Sequence, residues 1–128
     1  MHIRNCQILV ALSVAAGLMA GCTGGVTLHG YQISTGGNAR IGRQIMVQRR
    51  CGTCHTIPGI RHANGVFGPP LTSFARRTFI AGNFPNDPDH LEHWIMSPTS
   101  MKPKTAMPDL GLSQQQARDV AAYLYTLR

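Results

Sequence analysis

The run Cys51-Gly52-Thr53-Cys54-His55 places two thiols and an imidazole side by side in the chain. Two cysteines three residues apart lie on one face of a single helical turn, so both sulfurs can reach the two vinyl groups at one edge of a haem. His55, next in the chain, then lies beneath the ring and can give a nitrogen to the iron. The spacing therefore predicts covalent attachment of one haem c.

Two other uses of a Cys-x-x-Cys pair must be compared with this prediction. A thioredoxin-like redox pair is expected within a βαβ unit, and half of a zinc site requires a second pair of cysteines or histidines. Neither setting is visible in the sequence. The adjoining histidine and a downstream Met-Pro pair favour the haem.

The N-terminal segment is typical of a secretory signal peptide. Arg4 is followed by an apolar run and then by small residues up to Gly21, which predicts a signal over residues 1–21. An uncleaved membrane helix is the alternative, but about 13 apolar or small residues are short for a span of about 20.

Leu18-Met19-Ala20-Gly21-Cys22 resembles the lipobox of bacterial lipoproteins, in which the signal is cut before a cysteine that then carries lipid. This resemblance implies an exported lipoprotein anchored to the membrane through Cys22 and facing the periplasm or extracytoplasmic space. Met19 stands where the family usually has leucine, so cleavage by the ordinary signal peptidase to a soluble protein is the alternative. The four cysteines divide into Cys6 in the signal, the anchor and the haem pair, which leaves none for a disulfide.

The charge of the chain is strongly positive. Without Arg4, eleven of the twelve basic residues remain against five acidic ones, so the mature chain carries about +6. A cationic face can steer an acidic protein partner or hold the protein near anionic lipid. Because no basic run exceeds two residues, we expect no binding to nucleic acid.

The chain is expected to have three parts. After the signal, residues 22–39 are predicted to form a flexible linker, because residues 23–39 hold five glycines and no charge. Such a segment has a mean span of roughly 20–25 Å. Residues 40–128 are predicted to form one small domain, whose marginal core a buried haem would enlarge.

Three main helices are predicted in this domain, which makes its fold class all-α. The first helix covers about residues 39–50, and Gly42 is expected to let another helix approach it closely. The second is predicted to run from Asp89, where Glu92 completes a capping box, to residue 97 before a proline. The third covers about residues 113–127 and begins with a Ser113–Gln116 capping box. Residues 56–88 are expected to be loop without strands, with one short helix near residues 73–80.

Residues 94–108 resemble the ligand loop of class I cytochromes c. In that family a short helix ends at a proline, a Pro-x-Thr stretch follows, and the ligand methionine comes two residues after the threonine. This resemblance implies that Met107 is the second axial ligand of the iron, opposite His55. Met101 then falls at a position where the family has a packing residue.

Other positions extend the resemblance over residues 39–128. Gly68-Pro69-Pro70-Leu71 resembles the family's Gly-Pro-x-Leu segment, which implies that the Pro69 carbonyl accepts the proton on the other nitrogen of His55. Trp94 and Thr105 match positions that line the haem and its propionate edge. The resemblance also implies that Arg76 or Arg77 offers its guanidinium to a haem propionate. It further implies that the first and last helices cross, with Gly42 and Met46 packed on Tyr123 and Leu124.

The match is strongest to the cytochrome c domain of subunit II of some bacterial haem-copper oxidases. Because no copper-binding domain precedes the haem motif in this sequence, we expect a free-standing lipoprotein relative. The resemblance implies an electron-transfer protein rather than an enzyme, with redox partners such as a terminal oxidase or an upstream reductase or dehydrogenase. A haem enzyme or small-gas sensor with a labile sixth ligand is the alternative class, and ligation by His62 or His93 is the alternative to Met107.

Overall fold

The computed structural model describes residues 33–128, so the predicted signal peptide, Cys6, the lipidation site Cys22 and the linker up to residue 32 lie outside the described residues. Four helices and one small hairpin are found in the described part. They are α1 (Ala39–Gln48), α2 (Pro88–Met96), α3 (Pro98–Met101), α4 (Gln114–Leu124), β1 (Phe79–Ile80) and β2 (Phe84–Pro85). Two short 3-10 turns, Cys51–Thr53 and Phe74–Arg76, lie between α1 and β1. The predicted all-α fold with three main helices and long loops is confirmed.

The centre of the fold is the crossing of α1 and α4. A side chain on Gly42 would overlap the backbone of Asp119 and Val120, so the absence of a Cβ at this position lets the two helices touch. Ala117 and Ala121 of α4 are fully buried at the same core. The predicted close approach at Gly42 is confirmed, although its nearest neighbours lie one turn before the expected Tyr123 and Leu124.

Helix α2 begins differently from the prediction. Its N-cap is Asp87, whose carboxylate accepts a hydrogen bond from the His90 backbone N–H at 3.0 Å, and Pro88 occupies the first helical position. The predicted Asp89–Glu92 capping box is wrong, because Glu92 is buried and points to Arg118, with an N···O distance of 3.4 Å. A further one-turn helix, α3, starts directly at Pro98, a residue that was predicted only to end α2.

The limits of the other two main helices differ less. Gln116 and Ser113 form the predicted capping box, with bonds of 3.3 and 3.0 Å. Helix α4 ends at Leu124, three residues before the predicted end, and α1 ends at Gln48 because Arg50 adopts a left-handed backbone with φ of 55°.

The segment predicted to lack strands contains the antiparallel β1–β2 hairpin. Phe79 faces Pro85 and Ile80 faces Phe84. Strands of two residues are too short to show an alternating pattern, so they could not be predicted from hydrophobic periodicity. The helix expected near residues 73–80 is reduced to the 3-10 turn Phe74–Arg76.

The last residues of the predicted linker are packed on the domain. Thr35 is buried and its hydroxyl donates to the Arg118 carbonyl at 3.0 Å, while the Asn38 N–H donates to the Asp119 carboxylate at 2.7 Å. The chain is therefore packed on α4 from Thr35 onwards. Over residues 33–128, none of the helices has the length and apolar character needed to cross a bilayer.

Candidate haem site

The Cys-x-x-Cys-His motif follows α1 directly. Beyond the left-handed Arg50, residues Cys51–Thr53 form a 3-10 turn, and the His55 N–H donates to the Cys51 carbonyl at 3.0 Å. Cys51 begins this turn and Cys54 caps its end, so one turn of backbone separates the two cysteines. Both thiols are free and only partly buried. The arrangement fits two thioether bonds to one haem edge.

The described residues do not favour the two other uses of the cysteine pair. No group of three or more His, Cys, Asp or Glu that could hold a metal ion occurs among residues 33–128. Burial raises the pKa of the Cys51 thiol, whereas a zinc ligand or redox nucleophile needs the thiolate. The two strands in this part of the chain, of two residues each, form an antiparallel hairpin and not the βαβ unit of a thioredoxin-like fold.

The imidazole of His55 is held in one orientation. Its Nδ1 lies 2.7 Å from the Pro69 carbonyl oxygen. A carbonyl oxygen only accepts, so Nδ1 must carry the proton and Nε2 must carry the free lone pair. This is the tautomer that ligates a metal through Nε2.

Gly68 lies next to the imidazole ring of His55. A Cβ on Gly68 would lie 2.7 Å from Nδ1 and 3.0 Å from Nε2 of His55, both inside the 3.4 Å at which ordinary contact begins. The Gly68 N–H also donates to the Cys54 carbonyl at 2.8 Å. The backbone at Gly68 therefore lies close to the imidazole, and a side chain at this position would displace the ring. Gly68 belongs to the predicted Gly-Pro-x-Leu segment, but the motif alone does not indicate this contact with His55.

Arg77 stabilises the loop that carries Pro69. Its guanidinium donates to the Pro70 carbonyl and, at 3.2 Å, to the Thr72 carbonyl, and it lies 5.2 Å from the centre of the Phe74 ring. Arg76, the other residue considered for a propionate, is exposed. The Arg77 guanidinium thus binds backbone carbonyls of this loop, a role that was not predicted from the sequence.

Met107 lies in the irregular segment between α3 and α4. A turn closes from the Thr105 N–H to the Lys102 carbonyl at 2.9 Å, with Pro103 at the position that proline favours. The Met107 N–H then donates to the Thr105 hydroxyl at 3.2 Å. Thr105 therefore shapes the backbone at Met107, whereas Met101 is the last residue of α3.

Trp94 packs beside the hairpin, with its ring centre 6.3 Å from that of Phe84. Of the histidines considered as alternatives, His93 lies at the surface with Nε2 3.2 Å from the Ser100 hydroxyl. His62 is exposed and has a left-handed backbone with φ of 59°.

The sequence model of the family described as cytochrome c matches residues 39–128, so the chain belongs to the cytochrome c family. The relatives include the protein named cytochrome c oxidase subunit 2 from Alkalihalophilus pseudofirmus. It is 35% identical over 91 residues, which cover 70% of this chain and 26% of the relative. The chain thus spans about a quarter of the length of that curated relative.

The protein is a class I c-type cytochrome that binds covalent haem c and acts in haem-based electron transfer. The residues present fit this cofactor: two free thiols on one turn, an imidazole whose Nδ1 is already hydrogen-bonded, and a glycine that leaves room for the ring. When bound, the haem supplies an iron that changes between its ferric and ferrous states.

Proposed function

We propose that this protein is a membrane-anchored monohaem carrier that moves single electrons between respiratory partners, with His55 and Met107 as iron ligands. The observation that carries the proposal is the 2.7 Å contact between His55 Nδ1 and Pro69, which leaves Nε2 as the ligating nitrogen. Hydrogen bonding at Nδ1 also raises the basicity of the ligand. A methionine on the other side raises the reduction potential relative to two histidines, which suits a carrier.

The remaining site residues are given supporting roles in this proposal. Cys51 and Cys54 attach the haem, and Trp94 packs against it. Thr105 holds the backbone of the methionine loop, residues 99–109, and borders the propionate edge. A guanidinium from Arg76 or Arg77 neutralises a propionate, which is the bidentate pairing that arginine makes best.

Methionine ligation is tested by comparing two variants. We expect Met107→Ala to remove the weak near-infrared sulfur-to-iron absorption of the ferric protein, and Met101→Ala to leave it unchanged. Loss of the band in the Met101 variant alone would overturn the assignment. If the unaltered protein lacks the band and binds carbon monoxide readily in its ferrous state, the gas sensor or haem enzyme becomes the better hypothesis.

Anchoring is proposed to depend on lipid at Cys22. Lipoprotein processing supplies more than one acyl chain, which stable attachment requires. The segment from residue 22 to residue 34 then connects the anchor to the packed domain. We expect Cys22→Ser to release the protein into the soluble fraction with an unchanged visible spectrum. The matched control is Cys6→Ser, which lies in the predicted signal and should leave the protein on the membrane. Membrane retention of the Cys22 variant would instead indicate an uncleaved signal helix.

The partners are proposed to be redox proteins with an acidic docking face, such as a terminal oxidase or an upstream dehydrogenase. The support is the cationic mature chain, together with the name of the relative, an oxidase subunit. Electron transfer should slow as ionic strength rises from about 10 to 150 mM, where the Debye length falls from about 30 to 8 Å. Lys104→Glu should slow the reaction at low salt, because Lys104 is exposed in a loop assigned to the haem and is given no contact with the cofactor. A rate that salt and this substitution leave unchanged would rule out charge-steered docking.

A further inference from the structure

The methionine loop is closed on itself near its two ends. The Thr99 hydroxyl donates to one oxygen of the Asp109 carboxylate at 2.8 Å, and the Thr99 N–H lies 3.4 Å from the other. Thr99 is in the first turn of α3, where backbone N–H groups have no partner within the helix. Asp109 comes two residues after Met107. This side-chain pair therefore fixes the start of the loop to the residue just beyond the proposed ligand.

A second contact ties the middle of the loop to another part of the fold. The Lys102 ammonium donates to the Ala81 carbonyl at 3.0 Å. Ala81 lies in the turn between β1 and β2 and has a left-handed backbone with φ of 49°. The hairpin is itself fixed, because Phe84 packs on Trp94 and the Asn86 side chain donates to the Phe74 carbonyl at 3.0 Å.

We propose that the Thr99–Asp109 pair and the Lys102–Ala81 bond are positioning contacts that keep the loop closed over the iron. They thereby keep Met107 at the sixth coordination position. This inference rests on the proposed ligation by Met107. The segment from residue 102 to residue 113 has no helix or strand, so these contacts supply order that a regular element would otherwise give.

The two contacts decide how readily an outside ligand reaches the iron. A ligand such as imidazole binds only where Met107 has moved away, so its apparent affinity scales with the population of the opened loop. An exposed hydrogen bond of ordinary net strength changes such a population by roughly two- to tenfold.

The experiment is an imidazole titration of the ferric holoprotein. Lys102→Met removes the ammonium and keeps the apolar stem, and Thr99→Val removes the hydroxyl and keeps the shape. Each should raise imidazole affinity by roughly two- to tenfold while the sulfur-to-iron band persists without imidazole. The control for charge is Lys104→Met: Lys104 is exposed in the same turn and its side chain has no hydrogen bond within residues 33–128. The control for position 99 is Thr99→Ser, which keeps the hydroxyl and should keep the original affinity.

The outcomes separate this inference from the proposed function. The positioning role would be overturned if the Lys102→Met and Thr99→Val proteins keep the band and bind imidazole no more tightly than the unaltered protein does. Met107 would then remain the ligand. An equal gain in the Lys104→Met protein would assign the Lys102 effect to charge and overturn the role of the Ala81 contact. Absence of the band from the unaltered protein would overturn the ligation itself, and the inference with it.

Discussion

Replacing Gly68 by alanine is expected to weaken the haem site specifically. The new methyl group would lie 2.7 Å from Nδ1 and 3.0 Å from Nε2 of His55, closer than ordinary contact. The imidazole cannot move away freely, because Nδ1 is bonded to Pro69 at 2.7 Å and Cys54 precedes it in the chain. Either the ring tilts or the loop carrying Pro69 moves outward, and both stretch the bond that orients the ligand.

Crowding of this kind in a packed site costs typically 1–3 kcal/mol. For a domain of this size, each kcal/mol lowers the melting temperature by about 4–8 °C. We therefore expect the Gly68→Ala holoprotein to melt roughly 4–24 °C lower. We also expect a smaller fraction of chains to carry haem, since the tilted imidazole no longer faces the iron squarely.

The control is Gly111→Ala. Nothing lies within 4 Å of a Cβ at Gly111, but its φ of 59° makes a side chain strained. That variant reports the backbone cost of a glycine replacement, about 1 kcal/mol, without any contact at the haem site. The assay is thermal unfolding followed by circular dichroism, together with the ratio of Soret absorbance to protein. A Gly68→Ala protein with full haem content, an unchanged spectrum and the stability of the Gly111 control would refute the argument.

Three further predictions concern the scaffold and its pH dependence. Tyr123→Phe should cost about 1 kcal/mol, because it removes the 2.6 Å hydrogen bond to the Pro58 carbonyl; unfolding in guanidinium would measure the loss, and an unchanged midpoint would contradict it. Gly42→Ala should lower stability by about 3 kcal/mol or more despite the better helix propensity of alanine, because a Cβ there overlaps the α4 backbone; a gain in melting temperature would disprove the close crossing. The pKa of Asp87 is lowered, first by the His90 backbone N–H and then by the His90 side chain, so the folded state binds fewer protons than the unfolded state near pH 4. The stabilisation from the ionised Asp87 carboxylate is present at neutral pH and is lost as the pH falls below about 4. In Asp87→Asn, the free energy of unfolding should therefore depend less on pH between about pH 3 and 6. An unchanged pH dependence would exclude this contribution.

The sequence was most informative where local chemistry and local geometry coincide. The cysteine pair and His55 predicted haem c, and membership of the cytochrome c family confirms that cofactor. The Ser113–Gln116 capping box was predicted and is formed, because both partners are three residues apart on one helical turn. The ligand role of Met107 and the lipid on Cys22 stay predictions.

The sequence was least informative where one side chain must choose between a local and a distant partner. Glu92 has the spacing of a capping box with Asp89, yet it pairs with Arg118 of α4, and Asp87 caps the helix instead. Arg77 donates to the backbone of the loop that carries Pro69, whereas its predicted role was a contact with a haem propionate. No local rule distinguishes such alternatives, because burial and distance depend on the completed fold.

The sequence by itself thus determined the chemistry of attachment, since two thiols and an imidazole at fixed spacing need only one turn of backbone to face one haem edge. Only the tertiary structure decided how those groups are held. It placed Gly68 and Pro69 against His55, Lys102 against Ala81, and Thr99 against Asp109. These pairs join loops up to 21 residues apart. Their geometry depends on how these loops pack in the completed fold, and not on the spacing of residues along the chain.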